Sequence, residues 1–210
     1  KGDKITCLDV GIGASCIYPI VGNYEYGWSF IGSDISTASL KSAKQIATNN
    51  KELTSAVKTR LQQNSRFVFE GIINEQEFID VTVCNPPFHS SFHEARKANV
   101  RKVKNLQGKG PDKLTLNFGG QQNELWCEGG ELKFIHDMIF ESRRFGKQCL
   151  WFTSLVSKKE NLKSLYKTLN KVEALEVKTI EMSQGNKISR VLCWTFLTPT
   201  EQTRWTTDRW

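Results

Sequence analysis

The chain has 210 residues, 39% of them apolar and 10% aromatic, with 29 Lys and Arg against 22 Asp and Glu and a formal net charge of +7. That length suits one α/β domain with a sizeable core, the apolar content excludes compositional disorder, and no uncharged apolar run approaches the roughly 18 residues that a membrane span needs. Residues 1–88 carry 8 basic and 9 acidic side chains while residues 89–210 carry 21 and 13, so the positive excess, and any acidic partner, belongs to the second half.

The chain opens on Lys1 rather than Met and enters the apolar run Ile5 to Val10 almost at once, so an upstream segment is expected to have been removed. Lys4 to Val10 reads as a short buried strand. It is followed by Asp9-Val10-Gly11-Ile12-Gly13-Ala14-Ser15-Cys16. Gly11 and Gly13 permit a tight turn and a close approach of backbone to ligand, as a nucleotide-binding strand-to-helix turn requires. A dinucleotide fingerprint would place a third glycine at position 16, where this chain has Cys16, which argues against NAD or FAD. The second strand, Phe30 to Asp34, ends on an acid 23 residues past Gly11, placed to bind the two hydroxyls of a ribose. A glycine turn with a ribose acid and no phosphate-cradling Lys fits S-adenosylmethionine better than ATP. Two glycines after a strand also make an ordinary structural turn, and Asp34 also suits the amino end of the next helix.

That helix is predicted over Ser36 to Asn50, with Ser36 as N-cap and Leu40, Ala43 and Ala47 on one face. Further strands are predicted at Val57 to Gln62 and Ile79 to Cys84, the latter running into Asn85-Pro86-Pro87-Phe88. The prolines hold φ near −65°, and Pro87 forces Pro86 into an extended conformation, so the Pro86 carbonyl is aimed in one direction. An amino group on an aromatic ring is a poor nucleophile because its lone pair is delocalised. Hydrogen bonds from its two N–H groups to the Asn85 side-chain oxygen and the Pro86 carbonyl favour a pyramidal nitrogen and stabilise the charge that develops on it. Phe88 suits stacking on the flat face of the target. A rigid Pro-Pro turn with Asn85 as turn former is the alternative.

From Glu94 to Lys113 the residues Arg96, Lys97, Arg101, Lys102, Lys104, Lys109 and Lys113 face only Glu94 and Asp112, a run suited to neutralising RNA phosphates and equally to a solvated loop. Arg96, Lys97, Arg101, Lys102 and Lys104 are the candidate RNA contacts. Helices are predicted at Glu131 to Phe145 and Lys159 to Lys171, and strands at Gln148 to Thr153, Ala174 to Glu181 and Arg190 to Leu197. The last two are joined by Met182 to Lys187, short enough for an antiparallel hairpin. Early alternation of strand and helix with a closing hairpin implies one domain over residues 1–210, an α/β fold with a mostly parallel sheet and an antiparallel strand at its end. Ligands of such a sheet sit at the carboxyl ends of the strands. The cysteines at 7, 16, 84, 127, 149 and 193 form no C-x-x-C pair and read as reduced, buried thiols of a cytosolic protein. His89 and His93 lack the adjoining Glu of the zinc-protease pattern, and no metal site is expected.

With both loops placed, the chain resembles the class I S-adenosylmethionine-dependent methyltransferases that carry an Asn-Pro-Pro-Phe loop. The stretches 11–19 (Gly-Ile-Gly-Ala-Ser-Cys-Ile-Tyr-Pro), 85–90 (Asn-Pro-Pro-Phe-His-Ser), 117–122 (Asn-Phe-Gly-Gly-Gln-Gln), 125–130 (Leu-Trp-Cys-Glu-Gly-Gly) and 151–156 (Trp-Phe-Thr-Ser-Leu-Val) are similar to the bacterial 23S ribosomal RNA adenine-N(6) methyltransferases. More distantly, the chain resembles the eukaryotic methyltransferase of a spliceosomal small nuclear RNA. The resemblance covers nearly the whole chain. It implies a Rossmann-like, seven-stranded sheet with helices on both faces, and transfer of a methyl group from S-adenosylmethionine to the N(6) amine of an adenine in 23S ribosomal RNA. It further implies a cytoplasmic protein with ribosomal RNA as partner and no obligate protein partner. By the same resemblance the adenine is held by Asn85, Pro86, Pro87 and Phe88, and the cofactor by Asp9, Gly11, Gly13, Ser15, Asp34 and Ser65. Two departures stand out: Ser15 occupies a position often held by a third glycine, and family members carry a long N-terminal, RNA-binding segment where this chain begins just before its first strand. Methylation of another planar amine, such as a guanine amine or a protein glutamine amide, and a noncatalytic RNA-binding module are the competing readings.

Overall fold

The computed structural model describes residues 2–89, 127–184 and 187–210. Seven strands form one sheet: β1 (Thr6–Val10), β2 (Ser29–Asp34), β3 (Val57–Leu61), β4 (Ile79–Cys84), β5 (Cys149–Val156), β6 (Glu176–Gln184) and β7 (Lys187–Thr195). Their spatial order is β3-β2-β1-β4-β5-β7-β6. All neighbours from β3 to β5 pair in parallel, and β7 inserts antiparallel between β5 and β6. The strand order reverses between β1, which leads out to β2 and β3, and β4, which leads to β5. At this switch point the connections leave in opposite directions and open a crevice above the carboxyl ends.

Helices follow the strands as right-handed crossovers require: α1 (Ile17–Tyr26), α2 (Thr37–Asn49), α3 (Lys51–Ala56), α4 (Gly130–Ser142), α5 (Leu162–Lys171) and α6 (Pro199–Arg209). Leu8 and Val10 of β1 enter the main core with Ile135, Met138 and Ile139 of α4 and Leu165 and Leu169 of α5, while Ile12 and Cys16 of the turn after β1 pack with Leu40 and Ala43 of α2 in a second cluster. Ser36 caps α2 as expected, its Oγ accepting the Ser39 N–H at 3.1 Å. Among the described residues no helix is long and apolar enough to cross a membrane. Five of the six free cysteines are buried, and Cys127 is half-buried.

Three differences from the sequence expectation have physical causes. β5 continues three residues past Thr153, because Ser154, Leu155 and Val156 find partners on β7 rather than on a parallel neighbour. The hairpin strands run closer to the turn than expected, with pairing still present at Gln184 and Lys187. A helix, α6, follows the last strand where none was expected, and its Trp205 joins Leu150 and Leu197 in a third apolar cluster.

Candidate active site

The turn after β1 is built on left-handed residues: Gly11 has φ 75°, Gly13 φ 64° and Cys16, the N-cap of α1, φ 53°. The Ser33 carbonyl accepts both the Gly11 and Ile12 N–H groups at 2.9 Å, which fastens the turn to the end of β2. A Cβ at Gly11 would meet nothing within 4 Å, so this glycine keeps space clear rather than making room for protein. The Gly13 N–H donates to Asp34 Oδ2 at 3.1 Å and the Ser36 N–H to Asp34 Oδ1 at 2.8 Å. Asp34 therefore ties the turn to the amino end of α2, and each oxygen keeps a lone pair for a ligand hydroxyl.

Asp9 lies on the face of β1 opposite Leu8 and Val10. It is fully buried, and among the described residues neither carboxylate oxygen has a hydrogen-bond donor. Burial, then the neighbouring Asp34 charge, push its pKa up to about 8. Its other neighbours, Cys16, Tyr18, Cys84 and Cys7, are uncharged and are themselves pushed up, by burial first and by Asp9 second. Two acids at one glycine turn, with no ion pair to either among the described residues, suit a ligand that brings positive charge, and they oppose one that brings phosphate.

Asn85, Pro86, Pro87 and Phe88 leave the carboxyl end of β4, beside β1 at the switch point. Asn85 is exposed, Pro86 buried, and Pro87 and Phe88 half-buried. One cavity of about 1210 Å³ takes in Gly11, Asp34, Ser65, Asn85 and Pro87. A single small-molecule pocket occupies roughly 300–1,000 Å³, so this cavity has room for a nucleoside cofactor and a planar acceptor side by side. Asp9, Gly13, Ser15, Pro86 and Phe88 do not line its wall, and of these Ser15 is exposed beyond the glycine turn. Arg96, Lys97, Arg101, Lys102 and Lys104 lie outside the described residues. The His89 carbonyl accepts the Cys127 N–H at 3.0 Å, so the chain leaves and returns at one place.

Three residues that sequence reasoning passed over fasten the loops at this end of the sheet. Gln62 accepts the Asn64 N–H at 3.0 Å and donates to the Glu70 carbonyl at 2.9 Å, closing the loop that presents Ser65. Glu141 of α4 accepts the N–H groups of Val68, Phe69 and Glu70 at 2.6, 2.9 and 2.7 Å. Glu131, buried at the start of α4, accepts from the Ser157 N–H at 2.6 Å, the Lys158 N–H at 3.3 Å and Asn161 Nδ2 at 2.7 Å. Nothing local in the sequence marks these acids, since their partners lie 26 to 73 residues away.

The profile of a family described as RNA methyltransferase matches residues 1–198. The "Ribosomal RNA large subunit methyltransferase F" of Cytophaga hutchinsonii is 51% identical over 209 residues, covering 100% of this chain and 65% of that protein. The protein of the same name from Bacteroides thetaiotaomicron is 54% identical over 201 residues, 94% of this chain and 66% of its own length. The chain thus spans a little under two thirds of these relatives. Among solved structures, the hMettl16 catalytic domain in complex with MAT2A 3'UTR hairpin 1 superposes with a TM-score of 0.76 at 28% identity, over 93% of this chain and 65% of that one. The N-terminal domain of human METTL16 in complex with SAH shares the fold, with a TM-score of 0.69 at 24% identity over 92% of this chain and 62% of that one. A profile match running through all seven strands, with relatives at about half identity over nearly the whole chain, makes this chain a member of the RNA methyltransferase family.

Proposed function

We propose that this chain, as a single methyltransferase domain, transfers a methyl group from S-adenosylmethionine to the exocyclic N(6) amine of an adenine in 23S ribosomal RNA. The observation that carries the reading is that Asn85 and Pro87 open onto the same cavity as Gly11 and Asp34. The names of the relatives support a large-subunit ribosomal RNA substrate, and the pair Asp9 and Asp34 suits a cofactor that is cationic at its sulfonium and ammonium groups. In this reading Asp34 holds the ribose hydroxyls, Ser65 flanks the cofactor base, and the bare backbone at Gly11 lies against the cofactor, with Gly13 and Ser15 completing the turn.

S-adenosylmethionine, when bound, supplies an electrophilic methyl group on a positively charged sulfur. Asn85 and the Pro86 carbonyl accept the two N–H groups of the adenine amine and turn its lone pair out of conjugation. The same two dipoles stabilise the positive charge that builds on nitrogen as the N–C bond forms and the S–C bond breaks, until one proton leaves for water. Phe88 fixes the plane of the base by stacking. A base inside a duplex is out of reach of these groups, so the adenine is presented unpaired or flipped out.

The test is methyl transfer to unmodified 23S ribosomal RNA with analysis of the product nucleosides. N(6)-methyladenosine is expected, whereas a methylated guanine would redirect the reading to another base. Asn85→Ala is expected to lower the single-turnover rate by roughly 10²–10³, the effect of losing one oriented dipole, with S-adenosylhomocysteine affinity kept within a few fold. An unchanged rate would sink the role given to Asn85.

A further inference from the structure

α5 begins in a way that its own electrostatics disfavour. A 3-10 turn, Lys159–Asn161, leads into it, and Lys158, Lys159 and Lys163 all stand exposed at its amino end. The first turn of α5 holds no acid, and Glu160 alone sits in the turn before it. None of the three lysines forms an ion pair among the described residues. Only Lys163 lies in the first turn itself, where a cation opposes the macrodipole at a cost of about 0.3–1 kcal/mol and the Glu131 carboxylate on Asn161 offsets it; what the three lysines share is one exposed stretch with no ion pair to balance it.

A fourth cation lies at the same edge. Arg190 stands opposite Val156, the last residue of β5, on the β7 strand. It is 7% exposed, and its Nε has no hydrogen-bond partner among the described residues. Its ion-pair partner, Glu181, is 3.5 Å away and has a side chain 65% exposed, where water screens the attraction.

The position of these groups relative to Asn85 follows from register. β4 and β5 pair in parallel with Ile79 beside Cys149 and Val81 beside Trp151, an offset of 70 that places Asn85 level with Leu155. With strands about 4.8 Å apart and a rise of about 3.3 Å per residue, Ser157 comes within about 10 Å of Asn85. Glu131 then fixes the base of the lysine loop through the Ser157 and Lys158 N–H groups.

We propose that Lys158, Lys159, Lys163 and Arg190 form a phosphate-binding site that holds the RNA backbone beside the nucleotide presented to Asn85. The ligand class is the phosphodiester, bound by charge and counterion release and without regard to base sequence. This rests on the RNA-methylating role given to the catalytic loop, but its test does not depend on catalysis alone.

The test compares wild type with Lys158→Ala, Lys159→Ala and Lys163→Ala combined in the full chain, all three at exposed positions that leave the core intact. Binding of a fluorescent oligoadenylate of about 20 nucleotides is measured against salt, and the slope of log affinity on log salt is expected to shrink by about 2, at about 0.7 per lost contact with a single strand. For methylation of 23S ribosomal RNA, KM is expected to rise about tenfold or more, while kcat and S-adenosylhomocysteine affinity stay near wild type. The corresponding triple Lys→Arg variant is expected to restore both slope and KM. A wild-type slope in the Ala variant, or no rescue by Arg, overturns the site. A wild-type enzyme that methylates no RNA would instead remove the catalytic reading, and the oligoadenylate slope would still decide this one.

Discussion

A carboxylate sealed from water without a donor is costly, and Asp9 escapes that cost by keeping its proton: its pKa moves from 3.8 to about 8. The sign of the resulting pH dependence follows directly. Between those two values the folded, empty protein holds a proton that the unfolded chain has lost, so this contribution to stability is fully present below about pH 4 and disappears as pH rises through about 8. Asp9→Asn removes the titration while keeping the shape. Melting followed from pH 6 to 9 is expected to fall less in the variant than in wild type, each kcal/mol being worth about 2–4 °C in a chain of this size. On the proposed role of the acid pair, the S-adenosylhomocysteine ammonium favours the ionised form of Asp9, so binding is expected to release a proton in wild type at pH 7 and none in the variant. Calorimetry in buffers of different ionisation enthalpy reads that difference, and identical proton release in both would show that Asp9 stays protonated with the ligand bound.

The elements around the cavity are joined by two acids on one helix, and their effects separate. Glu141 gathers three N–H groups of the loop between β3 and β4, and Glu131 gathers three donors from the loop after β5. An amide in either place presents N–H groups to other donors, and each lost charge-assisted bond costs about 1.5–3 kcal/mol. Glu141→Gln is expected to speed hydrogen exchange at amides 68–70 and leave 157–158 protected, and Glu131→Gln to do the reverse; acceleration at both loops in either variant would mean that the helix holds them as one unit. Neither acid was legible in the sequence, because a long-range contact leaves no periodic trace. The strands were, since β1, β2 and β4 are short runs with apolar centres, β1 and β2 almost wholly buried and β4 buried on one face and half-buried on the other. So was the juxtaposition of the glycine turn with Asn85, because parallel strands deliver their carboxyl ends to one edge. α6 was legible and was passed over: Thr198, Pro199 and Glu201 spell a capping box with Pro at N1, and the structure forms that box.

Across the whole molecule the two edges of the sheet divide the labour, with the candidate site at the carboxyl ends and the clasp that holds α6 at the amino ends. Asp80, buried near the start of β4, accepts the indole N–H groups of Trp205 and Trp210 on one oxygen at 2.7 and 3.0 Å, and the Thr6 N–H on the other at 2.7 Å. The Arg209 guanidinium adds charge at 3.5 Å and lies 5.3 Å from the Phe78 ring and 5.2 Å from the Trp205 ring. One carboxylate thus fastens α6 to β4 and β1. Asp80→Asn leaves the volume unchanged but turns an acceptor into a partial donor facing four donors. Loss of one partner from a buried charged network costs about 3–5 kcal/mol, which corresponds to a fall in Tm of about 6–20 °C. Tryptophan emission is expected to shift to the red as α6 loosens, while S-adenosylhomocysteine affinity measured well below the new Tm stays at the wild-type value, because the cavity lies at the opposite edge. A matching loss of affinity would show that the clasp and the site are coupled through β4, and an unchanged Tm would show that apolar packing of Trp205 on Leu150 and Leu197 holds α6 without the carboxylate.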